Sequence, residues 1–387
     1  MSRTEPVPPD ALAGRAPTVP RSPEASLAGV ALVHDYFVVA GGAERVAAEL
    51  HRTFPDAPIF TSAFRPRGLP PGLEDADLRP SYLQHAPFVG RGYRAYLPLY
   101  PSAFARLPTQ DFPLVVASSS AWAHTVTTSG RLIVYCHTPP RFLWQQARYL
   151  ERERGSVKAA ASVLAAPLLR ALRKRDYEAA QRVHTFVANS RAVADRIGRY
   201  YGRPAEVVPP PVDVDRFRPG EQEDYALVIA RLQPYKQIDL AIQACERLEL
   251  PLLVVGEGPA RAALAEHARG RTRFLGRLSD EEVARLVGSA RVLITPGEED
   301  FGIATLEANA GGCPVVAYGA GGALETVEDG ATGVLFEDAT VESLAEALGR
   351  AVSRDWDRVR LVAHARTFEP ARFRAQMRSV VERVASS

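Results

Sequence analysis

Short apolar runs alternating with stretches of helical period recur along this chain, and three consecutive prolines divide them into two sets. The first set begins at Val30-Ala31-Leu32-Val33-His34 and continues at 114–118, 132–136, 185–188 and 206–208. The second begins at 225–230 and continues at 252–255, 273–275, 292–295, 315–317 and 333–336. Runs this short are strand-length, and continuous apolarity without alternation means that both faces are covered. Strands that alternate with helices build a parallel sheet clad on its two sides. The stretch 157–182 reads as one long helix, with apolar positions spaced by three and four. Pro209-Pro210-Pro211 can continue neither a helix nor a central strand, so this segment is extended and stiff. The pattern predicts an α/β chain of two doubly wound, Rossmann-like domains facing a central cleft. In open sheets of this kind ligands bind beyond the carboxyl ends of the strands.

Composition removes several classes of function. Apolar residues make up 46% of 387 and charged residues 24%, enough for two cores. A net charge of +2 is too balanced for a chain whose main task is neutralising a nucleic-acid backbone. Cys136, Cys245 and Cys313 lie far apart, which argues against a disulfide framework or a structural zinc site and fits a cytoplasmic setting. Cys136 ends an apolar run and reads as a small buried filler. No stretch reaches the ~18–20 apolar residues of a membrane helix. Residues 1–27, rich in Pro, Ala and Ser, read as a disordered leader. Arg148, Arg152, Arg154, Lys158, Arg170, Arg173, Lys174 and Arg175 give 148–175 an excess of positive charge. Two readings stand there, a solvated helix face and a peripheral contact with the inner face of an anionic membrane.

The densest chemistry lies in Gly297-Glu298-Glu299-Asp300-Phe301-Gly302-Ile303-Ala304-Thr305-Leu306-Glu307. This stretch follows an apolar run and leads into a helix expected to start near Ile303 or Ala304. A helix start offers free N–H groups and a positive dipole end, which suit an anion. Gly302 lets the backbone approach a ligand closely. Glu299 and Glu307 flank that position and can accept hydrogen bonds from hydroxyls. Acids at a helix N-terminus also complement its dipole, which accounts for Glu298, Glu299 and Asp300 but not for Glu307 further in. Arg231 and Lys236 share the loop after the first strand of the second half. They match a diphosphate, one as a planar fork and one as a point charge, or they are two ordinary surface cations.

Three weaker features complete the reading. His34 and Asp35, at the end of the first strand, either face the cleft or make a structural hydrogen bond. Gly319-Ala320-Gly321-Gly322, ahead of Glu325, either lines the anion site or permits tight helix–strand packing. Gly256-Glu257-Gly258 is no dinucleotide fingerprint, because Arg261 stands where a third Gly or Ala belongs.

Arg231 with Lys236, the Glu299-to-Glu307 spacing and the Phe301-Gly302-Ile303 core resemble the donor-site signature of glycosyltransferase family 4, retaining enzymes of the GT-B fold. Gly41-Gly42-Ala43-Glu44-Arg45 resembles the family's glycine loop below the cleft. Tyr135-Cys136-His137-Thr138-Pro139-Pro140-Arg141-Phe142-Leu143-Trp144 resembles the His-Thr-Pro block of a subgroup that includes bacterial mannosyltransferases. Val187-Ala188-Asn189-Ser190 and Val212-Asp213 match as well, so the resemblance covers almost the whole chain beyond the leader. One departure is Pro210-Pro211, where many relatives carry Asn-Gly.

The resemblance implies an acceptor-side domain at 28–210, a nucleotide-sugar donor domain at 211–368, and a helix at 369–387 crossing back to the first domain. It implies that Glu307 binds the ribose hydroxyls and that Glu299 contacts the donor sugar. Phe301, Gly302 and Ile303 would offer backbone N–H groups to sugar and phosphate. Arg231 and Lys236 would hold the diphosphate, Gly41 and Gly42 would meet the phosphates, and His137 would face the transferred sugar. The expected reaction moves a hexose with retention, without cofactor or obligatory metal, onto a saccharide, lipid-linked or small-molecule acceptor. GDP-mannose is the first choice of donor, on the His-Thr-Pro and Pro-Tyr-Lys blocks; a UDP- or dTDP-hexose is the alternative. An epimerase or a non-catalytic nucleotide-sugar binder on the same fold is the rival class. Intact Glu299, Glu307, Arg231, Lys236 and His137 argue against the binder, and the His-Thr-Pro and Phe-Gly-Ile sequences against the epimerase.

Overall fold

The structure, a computed structural model, describes residues 29–39, 41–87, 96, 98–145 and 156–387. The leader expected at 1–27 and the 148–155 portion of the basic stretch lie outside the described residues.

The first sheet contains β1 (Val30–His34), β2 (Ile59–Thr61), β3 (Leu78–Pro80), β4 (Leu114–Ser119), β5 (Arg131–Cys136), β6 (Thr185–Ala188) and β7 (Ala205–Val207). Its order is β3-β2-β1-β4-β5-β6-β7, and every pairing is parallel. The second contains β8 (Ala226–Ile229), β9 (Leu252–Val255), β10 (Thr272–Gly276), β11 (Val292–Thr295), β12 (Val315–Tyr318) and β13 (Gly333–Phe336). Its order, β10-β9-β8-β11-β12-β13, is again wholly parallel. In each sheet the order reverses beside the first strand, between β1 and β4 and between β8 and β11. Those two switch points are where an open α/β sheet leaves a crevice at its carboxyl edge. β1 and β11 are buried along their whole length, as continuous apolar runs require.

Two strands have no counterpart in the sequence reading. β2 has three residues, and β3 is Leu-Arg-Pro with Arg79 and Pro80 exposed. Both are below the length at which a run is recognisable, and proline fits β3 only because it is an edge strand.

The helices that frame the cleft are α1 (Gly42–Thr53), α2 (Arg141–Trp144), α3 (Ser156–Gln181), α4 (Arg191–Tyr201), α5 (Ile238–Arg247), α6 (Asp280–Ser289), α7 (Ile303–Ala310) and α8 (Ala323–Thr326). The C-terminal helix α9 (Pro370–Ser386) packs on the first domain. Phe373, Met377 and Val381 share a core with Val46 and Leu50 of α1, and the Phe373 ring meets Tyr135 of β5 edge-on at 5.5 Å. The chain crosses between the sheets twice, and the crossings are tied together where Val212 N–H donates to the Phe368 carbonyl at 2.9 Å. Among the described residues no helix is long and apolar enough to cross a membrane. Arg173 of α3 donates to the Leu143 carbonyl and stacks on Trp144, so this member of the basic stretch is part of the domain's own packing.

Candidate active site

The loop between β11 and α7 is built around one backbone requirement. Gly302, the residue before α7, has φ +98°, a left-handed conformation that L side chains rarely adopt. The helix therefore starts at Ile303, with its N-terminal amides turned toward the crevice. No acid occupies its first turn. Glu298, Glu299 and Asp300 precede it, and each is held by a cation, so dipole complementation is not what they do.

Glu299 belongs to Lys236. The ammonium, on the short 3₁₀ turn Pro234–Lys236 after β8, lies 2.6 Å from both carboxylate oxygens. Burial works against the lysine charge, but Glu299 and Tyr235 together outweigh it and Lys236 ends above its usual pKa. The Glu299 carbonyl accepts from Gly322 N–H at 2.9 Å, and a Cβ on Gly322 would come within 2.2 Å of Phe301 Cα. The Gly319–Gly322 run is thus the tight-packing partner of the loop. Phe301 is itself buried against Phe368, which leaves only its backbone for a ligand.

Glu307 sits one turn into α7. Its Oε1 accepts from Arg45 of α1 at 3.1 Å and from Arg216 at 2.8 Å, and both guanidiniums also grip Asp280 at the start of α6. Burial raises the Glu307 pKa, and the two arginines partly offset it. Among the described residues both arginine contacts fall on Oε1 and leave Oε2 outside them.

Asp300 and Glu298 are gripped from the other domain. Arg141, on α2, lies 2.7 Å from Asp300 and over the Tyr235 ring at 4.8 Å. Arg196, on α4, pairs with Asp300 and reaches Glu298 at 2.7 Å. Burial opposes the Asp300 charge, yet Arg141 and Arg196 hold its pKa below the usual carboxylate range. Ser190 Oγ donates to the Asp300 carbonyl at 2.6 Å, and Glu325 accepts from Arg191 N–H at 2.8 Å, capping α4 across the domain boundary.

The first domain contributes a wall of another character. His137 follows β5 directly, and its Nε2 lies 2.8 Å from Ser118 Oγ, which is 3.0 Å from His34 Nδ1. Burial is the main cause that lowers both imidazoles, His34 to about 4 and His137 to about 3, so both are neutral at pH 7. Asp35 accepts from the amides of Ser120, Ala121, Trp122 and Ala123 at 2.6–2.9 Å and from Ser120 Oγ. The structural hydrogen bond, not the cleft, is therefore the role of Asp35. Glu44 folds back on Gly41: a Cβ there would come 2.9 Å from its Oε2. Burial pushes its carboxyl up to about 7, against its own backbone and Arg231. Gly42 faces the second domain, where a Cβ would come 3.0 Å from Ile303 Cδ1. Arg231 is exposed on the loop after β8, and its charge acts on Glu44.

This two-sided crevice is matched by sequence comparison. Residues 213–368 match the family described as Glycosyl transferases group 1, and residues 40–216 match Glycosyltransferase Family 4. This chain belongs to the family 4 glycosyltransferases. D-inositol 3-phosphate glycosyltransferases of Nocardia farcinica and Kribbella flavida are 33% and 35% identical over 221 and 208 residues, which is 47% and 44% of this chain. The chain spans about half the length of these curated relatives, 49% and 48%. Sucrose-phosphate synthase from Thermosynechococcus elongatus superposes with a TM-score of 0.71 at 17% identity, covering 92% of this chain and all of that one. Anabaena HepE in complex with UDP and glucose gives 0.66 at 19% identity, covering 91% and 98%. These likenesses identify the fold as GT-B.

Within this family member the structure brings together Lys236 with Glu299, Gly42 with Ile303, and Glu307 with Arg45. His137 is tied into its own domain through Ser118. Ser118, Arg196, Arg216 and Asp280 had no part in the sequence reading of the site. Glu44, Arg45 and Arg141 stood inside its motifs without a role. Arg196 lies mid-helix with no local signal.

Proposed function

We propose that this chain is a retaining hexosyltransferase that takes its sugar from a nucleoside diphosphate donor. The observation that carries the reading is the Lys236–Glu299 pair beside the glycine-started α7, with Gly42 close across the crevice. The donor diphosphate lies against the α7 amides, Lys236 and Arg231, where fixed dipoles and charges meet the negative charge of the departing phosphate. Glu299 accepts from a hydroxyl of the transferred hexose, Glu307 Oε2 from the ribose, and His137 faces the hexose from the opposite wall. Lys236 bonds both oxygens of Glu299, which makes that carboxylate a poor nucleophile. Retention then follows from attack on the face the phosphate leaves. The anomeric C–O bond to phosphate breaks, the bond to the acceptor oxygen forms, and the acceptor proton passes to a donor phosphate oxygen.

GDP-mannose is the first donor and UDP-hexose the second, the latter favoured by HepE, whose structure holds UDP and glucose. The acceptor is a saccharide, a lipid-linked sugar or a small polyol, and protein cations take the place of an obligatory metal. Thermal unfolding in excess EDTA tests this. A nucleotide at 100 times its dissociation constant should add about 2.7 kcal/mol. GDP and GDP-mannose should raise the melting temperature more than UDP and UDP-glucose; a larger UDP effect overturns the donor choice. No shift with either in EDTA, restored by manganese, overturns the metal-free reading.

A further inference from the structure

One buried hydroxyl joins two buried imidazoles behind the crevice, and the reaction as described uses only one of them. His34 ends β1, Ser118 lies in β4, and His137 follows β5, so the three residues span the switch point of the first sheet. Their exposures are 2%, 1% and 9%. Ser118 Oγ is 3.0 Å from His34 Nδ1 and 2.8 Å from His137 Nε2, both ordinary hydrogen-bond lengths.

A serine hydroxyl has one proton to give and lone pairs that accept. With both rings neutral, it donates to one imidazole and accepts from the other. If Ser118 donates to His137, then His34 must carry its proton on Nδ1, and His137 carries its proton on Nδ1, the nitrogen Ser118 does not hold, as a donor. If Ser118 donates to His34, then His137 carries its proton on Nε2 and keeps a bare Nδ1 as an acceptor. The remaining arrangement, with both rings donating to Oγ, leaves the buried Ser118 proton without an acceptor, because among the described residues the two rings are the side-chain partners of that hydroxyl. The tautomer of His137 is therefore coupled to that of His34, a residue it touches only through Ser118.

We propose that Ser118 and His34 are positioning residues that fix the tautomer and ring orientation of His137, and so decide whether it offers the transferred sugar a donor or an acceptor. This rests on the reading that places His137 beside that sugar. Nothing is transferred along the chain during turnover; it sets the ring before substrate arrives, as outer partners set catalytic histidines elsewhere. The lowered pKa values agree, since a charged ring on either side would remove the need for Ser118 to choose.

The test uses the full chain with histidines labelled in nitrogen-15. In the parent protein the two ring nitrogens of His137 should show one tautomer in large excess, assigned by loss of its signals in His137→Ala. Ser118→Ala should change that nitrogen pattern, and so should His34→Phe. Ser118→Ala should lower kcat by about tenfold with the donor KM within twofold, and Ser118→Thr should recover most of that rate. An unchanged His137 pattern in Ser118→Ala overturns the proposal, and so does a changed pattern with unchanged kcat while His137→Ala is slow. If His137→Ala itself turns over at the parent rate, the assignment of His137 to the sugar is what has failed, and the proposal falls with it. Should His34→Phe fail to fold, Ser118→Ala and Ser118→Thr still decide the question.

Discussion

The two walls of the cleft solve the burial of polar groups in opposite ways. On the first-domain wall charge is avoided or fed by backbone. His34 and His137 are neutral, the Glu44 carboxyl is raised to about 7, and Asp35 collects four amides. On the second-domain wall charge is kept and matched. Glu299 takes Lys236, Asp300 takes Arg141 and Arg196, and Glu307 takes Arg45 and Arg216. A wall of matched charges suits an anionic donor whose own charge changes as it reacts, whereas a neutral wall suits an uncharged sugar. The same contrast says which perturbation reads which wall: charge deletion for the second, pH for the first.

The largest effect is expected where a second-wall cation meets charge that grows during the reaction. Arg231→Ala should lower kcat by about 10²–10³-fold, as for other groups placed where charge develops. Glu307→Gln should behave differently, because the ribose contact proposed for it would exist equally before and during reaction. It should raise the donor KM more than it lowers kcat, with roughly 1.5–3 kcal/mol, or about 10- to 150-fold, in kcat/KM. Steady-state kinetics on both variants, with folding checked by circular dichroism, separates the roles. If Arg231→Ala moves only KM, it anchors the donor and does not stabilise the leaving group.

The second wall was far more legible in the sequence than the first, for a physical reason. Lys236, Glu299 and Gly302 lie on two loops that follow buried strands and Glu307 lies one turn into the helix that follows the second, so local spacing brings them near one another. Continuous apolar runs such as Val292–Thr295 marked those strands. The cross-domain partners carry no such mark. Arg196 is one cation on an amphipathic helix, and nothing in 191–201 encodes Asp300, which lies 104 residues away. Ser118 looked like the polar end of a strand, and its position between two histidines arises only from the β1-β4-β5 order. Of the two readings left open for Asp35, the structural one holds, because the turn that follows β4 supplies its amides.

Removing a cross-domain cation tests whether matched charge also holds the walls together. Arg196 is 8% exposed at its side chain, while Glu298 and Asp300 are 29% and 22% exposed. Arg196→Ala leaves Asp300 with Arg141 and takes one partner from Glu298, which is 29% exposed, so the loss falls short of a fully orphaned charge. About 1–3 kcal/mol of stability should disappear, measured by chemical denaturation. Hydrogen exchange in 297–302 should quicken relative to the strand core. A loss under about 0.5 kcal/mol would mean that the α4 contacts through Ser190 and Glu325 suffice without it.

The smallest effect is expected from acid on the first wall, because two contributions there oppose each other. His34 and His137 have folded pKa values of about 4 and about 3, below their ordinary 6.5. As pH falls from 6.5 to 5 the unfolded chain takes up protons that the folded wall refuses, so the histidines lose stability. Glu44 acts in the other direction. Its folded pKa of about 7 lies above its ordinary 4.5, so the folded chain binds that proton first, and acidification through the same window stabilises. One proton per pH unit is worth about 1.4 kcal/mol, so two histidines against one carboxyl leave a net loss on the order of 1–2 kcal/mol between pH 6.5 and 5. Glu44→Gln removes the opposing member and keeps the size. Its loss over the same interval should be roughly double that of the parent, read from denaturation midpoints at the two pH values. Equal acid losses in the two proteins would show that Glu44 is already ionised in the folded state and that the first wall holds a charge after all.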